Sequence, residues 1–194
     1  MDTITELEAE YTAVQENPLG DALKKQPTVI VVMNESFADL SVIGELETNE
    51  PLTPFMDSLE KNIIKGYALT SVFGAKTPNS EWEFLSGSSM AFLPKGAVVY
   101  QQYMNDTPSS LVSNLSNEGY TCVAMHPYYE TGWSRNLVYP DMGFDEMYFI
   151  EDFDQSKMLR KYITDQELFD KIIERFEDRR VNEDLFIMSI SMQN

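Results

Sequence analysis

Short runs of continuous apolar residues govern what this chain can fold into. Thr28–Met33 (TVIVVM) and Leu185–Met192 (LFIMSISM) lack the polar alternation of a half-exposed strand, so each reads as a strand covered on both faces. Tyr120–Met125 reads as a third strand, and Ile64–Phe73 and Met147–Ile150 as two weaker ones. Between them the period lengthens to that of helices. Thr53–Asn62 opens with Thr53-Pro54, and Thr77-Pro78 starts a second helix running to Phe84 or Leu85. Ser109–Asn117 is helical with Gly119 as its stop. Asp165–Arg179 places Leu168, Ile172, Ile173 and Phe176 on one face. Strands alternating with helices define an α/β fold with a mostly parallel sheet flanked by helices.

That class fixes where function belongs. Open α/β sheets bind ligands beyond the carboxyl ends of their strands. Here those ends carry Asn34-Glu35, His126 and Gln193-Asn194, so the expectation is that these groups share one edge of the sheet.

Composition removes several function classes. With 43% hydrophobic residues in 194, the chain can bury a core. The net charge of −18 repels phosphate backbones, which argues against a nucleic-acid partner. An anionic small substrate requires a local cation or basic cluster that reverses this field. A single cysteine, Cys122, excludes an internal disulfide, and its apolar surroundings mark it as a small buried thiol. No apolar stretch approaches the roughly 20 residues of a membrane span. The acidic start has no signal-peptide core. Residues 1–26 read as a lead-in, with Leu7, Tyr11 and Val14 at helical spacing, and residues 27–194 as the domain itself.

Five residues stand out for chemistry. Glu35 leaves an apolar strand in Met33-Asn34-Glu35-Ser36, which suits an oxygen ligand for Mg2+ or Mn2+; position alone fits a surface glutamate equally. Thr77, in Gly74-Ala75-Lys76-Thr77-Pro78, looks like a helix N-cap. The same place offers a hydroxyl nucleophile the positive end of a helix dipole and nearby backbone N–H groups. His126 is the only histidine, so a two-histidine metal site cannot be built from this chain. A serine-hydrolase triad would need that one imidazole, and no G-x-S-x-G elbow accompanies it. Downstream, Trp133 offers a flat wall and Arg135 a planar fork for phosphate oxygens; a packed indole and a surface arginine would fit the same positions. Glycine-rich phosphate loops of the Walker or dinucleotide type are absent.

Taken together, Thr28–Leu40 (TVIVVMNESFADL), Gly74–Lys95 (GAKTPNSEWEFLSGSSMAFLPK), Val98–Tyr103 (VVYQQY), His126–Arg135 (HPYYETGWSR) and Met142–Asp145 (MGFD) resemble lipoteichoic acid synthases and related sulfatase-like phosphoglycerol transferases. The resemblance covers roughly residues 27–194. It implies an alkaline-phosphatase/sulfatase-like α/β fold with bound Mn2+ or Mg2+. It places Glu35 and Thr77 on the metal, makes Thr77 the nucleophile, and assigns glycerol phosphate to His126, Trp133 and Arg135. The implied reaction moves phosphoglycerol from a phosphatidylglycerol-like head group, through a phosphoglyceryl-threonine, to a polymer or glycan acceptor or to water. It implies a membrane-anchored protein whose catalytic domain faces the outside of the cell.

The family completes its metal site with an Asp-His pair, and no Asp-His dipeptide occurs in this sequence. The sequence-based expectation is therefore a domain lacking its C-terminal part, binding Mn2+ weakly and without turnover by itself. A sulfatase is the nearest rival, but its C/S-x-P-x-R pattern is not met by Thr77-Pro78. A phosphodiesterase of the same fold, or a non-catalytic module that binds glycerol phosphate, would fit these residues as well.

Overall fold

The computed structural model describes residues 26–34, 37–72, 74–104 and 109–193. Expectations that fall on the lead-in helix, on Glu35 and on Asn194 lie outside the described residues.

The core element is a four-stranded sheet of β1 (Val29–Met33), β2 (Thr121–Met125), β3 (Glu146–Tyr148) and β6 (Leu185–Ile190). Its spatial order is β1-β6-β2-β3. All three pairings are parallel, and the register sets Met33 beside Ile190 and Met125 beside Ser189. Two further strands, β4 (Met158–Leu159) and β5 (Tyr162–Ile163), form a small antiparallel hairpin.

The helices are α1 (Pro54–Ser58), α2 (Thr77–Ser86), α3 (Val99–Gln102), α4 (Leu111–Asn117), α5 (Arg135–Met142) and α6 (Asp165–Glu177), and those from α2 onward cover the sheet on both sides. On one side Leu85 of α2, Tyr100 of α3, Val112 of α4 and Tyr139 of α5 pack on Cys122, Ala124, Phe186 and Met188. On the other, Leu168 and Ile172 of α6 pack with Ile163 on Val123, Met125 and Ile187. The result is three layers, with successive strand residues feeding opposite cores as strand geometry requires.

Local chemistry starts these helices where the pattern indicated. A capping box opens α4: Ser110 Oγ accepts from Ser113 N at 3.0 Å, and Ser113 Oγ accepts from Ser110 N at 2.9 Å. Thr164 Oγ1 caps α6 by accepting from Glu167 N. Arg175 of α6 then reaches Glu146 at 2.8 Å and Glu183 at 2.7 Å, at the amino ends of β3 and β6, which clamps the helix to the edge opposite the site.

Several expectations change. Ile64–Phe73 forms no strand over its described residues: Ile64 and Leu69 are fully exposed, and without a partner strand the apolar run has no ladder to join. The helix after Thr53 spans only Pro54–Ser58 and buries nothing. Ile173 points outward at 52% exposure, leaving Leu168 and Ile172 as the buried residues of the α6 face. The hairpin β4–β5 and helix α5 were not anticipated.

Candidate functional site

The parallel register brings the carboxyl ends of β1, β6 and β2 together. Ser191 N donates to Met33 O at 3.1 Å, and Ser191 Oγ donates to Asn34 Oδ1 at 2.9 Å. The His126 Nδ1 atom lies 3.2 Å from Ile190 O. Asn34 and His126 therefore share one edge, as the sheet logic required, and Glu35 itself lies outside the described residues.

His126 is 2% exposed. Burial, followed by the nearby Arg135 charge, pushes its imidazole down to about 4. It is thus neutral near pH 7. With Nδ1–H donating to the Ile190 carbonyl, Nε2 keeps a lone pair and acts as an acceptor.

Thr77 enters the site from α2. The helix begins at Thr77 itself, and Lys76 occupies the cap position without a side-chain cap bond, so the threonine is not the N-cap that the sequence indicated. Pro78 follows at the second helical position, where its missing N–H costs nothing. Gly74 (φ 56°) and Ala75 (φ 45°) both adopt left-handed backbone immediately before, which turns the chain sharply into the helix. Beside this turn is a cleft of about 600 Å³ whose lining includes Lys76, Asn79 and Lys95. Asn79 shapes its wall, accepting from Val99 N at 3.0 Å and donating to Ala97 O at 2.9 Å. Lys76 and Lys95 bring two positive charges to this cleft in an otherwise acidic chain. The lining runs from Ser71 to Ala97 and does not include His126, Trp133 or Arg135.

Those three residues belong to the segment after β2. Trp133 (φ 56°) and Ser134 (φ 63°) are consecutive left-handed residues, an unusual conformation for a bulky side chain. The turn they make leaves Trp133 36% exposed and sends Arg135 inward to 1% exposure at the start of α5.

Arg135 meets a partner that no sequence pattern singled out. Glu81, one turn after Thr77 on α2, is 0% exposed and lies in a bidentate ion pair with the guanidinium. Nε donates to Oε2 at 3.2 Å and Nη2 donates to Oε1. The Tyr139 hydroxyl donates to the same carboxylate at 2.9 Å and the Tyr100 hydroxyl at 3.3 Å. Burial pushes the Glu81 carboxyl upward, but the charge and hydrogen bonds of Arg135 prevail and hold it below its ordinary value. Burial works against the Arg135 charge as well, but the same carboxylate prevails and raises Arg135 above its already high value, so both members stay ionised. A signal for Glu81 did exist: it stands four residues before the buried Leu85, on the inward face of α2.

The structure thus ties Arg135 to the helix that begins at Thr77 through Glu81, while His126 and Trp133 stand outside the cleft beside that helix start. Among the described residues no group of three His, Cys, Asp or Glu side chains could hold a metal ion. Thr77 and Glu35 are oxygen donors of the kind a hard divalent cation takes, but a six-coordinate ion needs more than two of them. These side chains by themselves do not complete a metal centre.

A parallel three-layer α/β domain with its polar groups at the carboxyl edge has the architecture of the alkaline-phosphatase-like enzymes. The chain matches the sulfatase family over residues 27–194 and belongs to it. It is 32% identical over 176 residues to a protein of Rhizobium meliloti (strain 1021) named for cyclic beta-1,2-glucan modification, spanning 91% of this chain and 27% of that one. It is 31% identical over 137 residues to the lipoteichoic acid synthase of Staphylococcus saprophyticus, spanning 69% and 21%. The phosphoglycerol transferase GacH of Streptococcus pyogenes, solved with sn-glycerol-1-phosphate, superposes with a TM-score of 0.71 at 18% identity over 99% of this chain and 51% of that one. The chain spans about a quarter of the length of the curated relatives it matches.

Proposed function

We propose that this chain carries the nucleophile and the head-group contacts of a phosphoglycerol transferase. The donor is a phosphatidylglycerol-like lipid, and the product is a phosphoglycerol-substituted polymer or glycan. The observation that carries the reading is the linkage of Thr77 to Arg135: the hydroxyl stands at the first position of α2, and one turn later Glu81 grips the guanidinium. A nucleophile on α2 and a phosphate-binding fork on α5 are thereby joined through one buried ion pair.

In this reading the Thr77 oxygen gives up its proton and attacks phosphorus, the P–O bond to the lipid's glycerol backbone breaks, and the leaving alkoxide takes a proton to depart as diacylglycerol. The start of α2 offers partial positive charge where negative charge builds on the phosphoryl oxygens. Arg135 orients those oxygens, Trp133 walls the glycerol carbons, and Nε2 of His126 accepts from a glycerol hydroxyl. An acceptor hydroxyl then displaces threonine and regenerates it. Glu35 and Thr77 are the residues that would contribute to holding Mn2+ or Mg2+, which, when bound, supplies a lower pKa for the hydroxyl.

The glycan arm of the acceptor class draws on the relative named for glucan modification, the polymer arm on the lipoteichoic acid synthase. A lipid donor puts the whole protein at the cell membrane with this domain facing outward. No helix among the described residues is long and apolar enough to cross a bilayer.

The test is Thr77→Ala in the intact protein. Turnover of a fluorescent phosphatidylglycerol analogue should fall by about a thousandfold or more, with sn-glycerol-1-phosphate affinity kept within a few-fold. Undiminished turnover overturns the threonine-linked route. Faster cleavage of an aryl sulfate than of the lipid favours a sulfatase, and binding without turnover in the wild type favours a silent module.

A further inference from the structure

We infer that Glu81 is a positioning residue for phosphate recognition: it presets the Arg135 guanidinium for the anionic head group and ties it to the helix that carries Thr77. This rests on the phosphoglycerol reading above and extends it to a residue that touches neither phosphorus nor the leaving group.

The argument starts from what a buried ion pair needs. Two charges removed from water are tolerated only when their remaining donors and acceptors are satisfied. Glu81 meets that demand with four contacts: two from Arg135, one from the Tyr139 hydroxyl and one from the Tyr100 hydroxyl. A carboxylate held from so many directions has no rotamer freedom left, so it fixes the plane of the guanidinium bound to it.

Donor counting shows what this leaves for a ligand. Guanidinium has five N–H groups. Glu81 takes Nε–H and one on Nη2, and the Gly132 carbonyl takes one on Nη1 at 3.3 Å. The Tyr139 hydroxyl also lies in hydrogen-bonding contact with this guanidinium. With its Nε edge committed to Glu81, the guanidinium has its Nη end left to turn toward an anion. The Glu81 contacts thus select which edge of Arg135 is presented.

Sequence placement gives the second half. Glu81 follows Thr77 by four residues on one helix, so the two side chains share a face with Cβ atoms about 5–6 Å apart. The Arg135 plane is therefore referenced to the helix that bears the nucleophile, although 58 residues separate Thr77 from Arg135 in sequence. A shift of one carries the other, which keeps phosphorus in line with the attacking oxygen.

The experiment is calorimetric titration of the intact protein with sn-glycerol-1-phosphate, with thermal melting in parallel. Glu81→Gln keeps the shape but removes the charge and turns an amide N–H toward Arg135. Its affinity should drop at least about tenfold, and Arg135→Gln should lose a similar amount. The double variant should lose no more than the worse single one, because the two residues act as one unit. A purely architectural role would lower the melting temperature and leave the affinity of the folded protein unchanged; affinity within twofold of wild type in folded Glu81→Gln overturns the inference. If Glu81→Gln does not fold, Tyr139→Phe decides. It removes one hydroxyl from the carboxylate, and the expected affinity loss is about threefold; no change overturns the inference. A wild-type protein that takes up no sn-glycerol-1-phosphate overturns the phosphoglycerol reading and this inference with it. Wild-type binding beside an unaffected variant overturns this inference alone.

Discussion

Strands β1 and β6 lie side by side with nearly the same composition, VIVVM against LFIMSI, yet they live in different surroundings. Every residue of β6 is buried, whereas β1 alternates between half-buried and exposed. Ile30 and Ile187 are register partners on the same face of the sheet, and one is 44% exposed while the other is 0%. Val29, Val31 and Met33 do pack on the core beneath α2, α4 and α5. Among the described residues nothing covers the other face of β1, because α6 covers β6 and β2 and stops short of the edge strand. An unbroken apolar run therefore reports a parallel strand, and neighbours in space decide how many of its faces are covered.

This contrast can be probed at four places, the widest gap first. Cys122 is 0% exposed, and burial pushes its thiol up to about 12. Alkylation of the native protein by iodoacetamide at pH 8 should run about a thousandfold slower than at a cysteine placed on the open strand by Ile30→Cys in a Cys122→Ala background. Equal rates would erase the distinction between the strands. Next come the register partners: Ile187→Ala should cost about 2–5 kcal/mol in urea unfolding, through lost burial and a cavity. Ile30→Ala should cost under about 1 kcal/mol. Similar costs would mean that something seals the outer face of β1 in solution.

The ends of the strands sharpen the contrast further. On the covered side stands His126, and on the open side stands Asn34, which does not titrate. The folded imidazole sits near 4, below the 6.5 of the unfolded chain. Its neutral form is the one the fold stabilises, so that contribution is complete above pH 6.5 and drains away as pH falls toward 4. The loss should approach roughly 3 kcal/mol. It should appear as the difference between wild type and His126→Gln in denaturant unfolding across that window. A difference that stays flat would mean that the imidazole is not desolvated. Glu183, held near 2 chiefly by hydrogen bonds from Arg175, loses its share only at lower pH, as the solution drops below its ordinary 4.5.

Much of this was legible in the chain itself. Continuous apolar runs located β1, β2 and β6, and the rule about carboxyl ends placed Asn34 and His126 on one edge. The α6 stripe was legible through Leu168 and Ile172, because helical period and burial agree there. Ile64–Phe73 misled, since apolar residues form a strand only where a neighbour offers hydrogen bonds. Glu81 escaped notice because a glutamate on an amphipathic helix defaults to solvent. The arginine that draws it inward lies 54 residues away, beyond any local pattern. The left-handed pair Trp133–Ser134 was equally hidden, since neither residue type signals a positive φ.

The bond between helices α2 and α5 also has a hereditary consequence. A lineage that lost either the acid at 81 or the base at 135 would inherit a stranded charge in an oily interior, so neutral drift at one position is blocked unless the other changes too. The two sites should therefore pass through descent as a couple, kept together or exchanged together, even where the surrounding loops diverge.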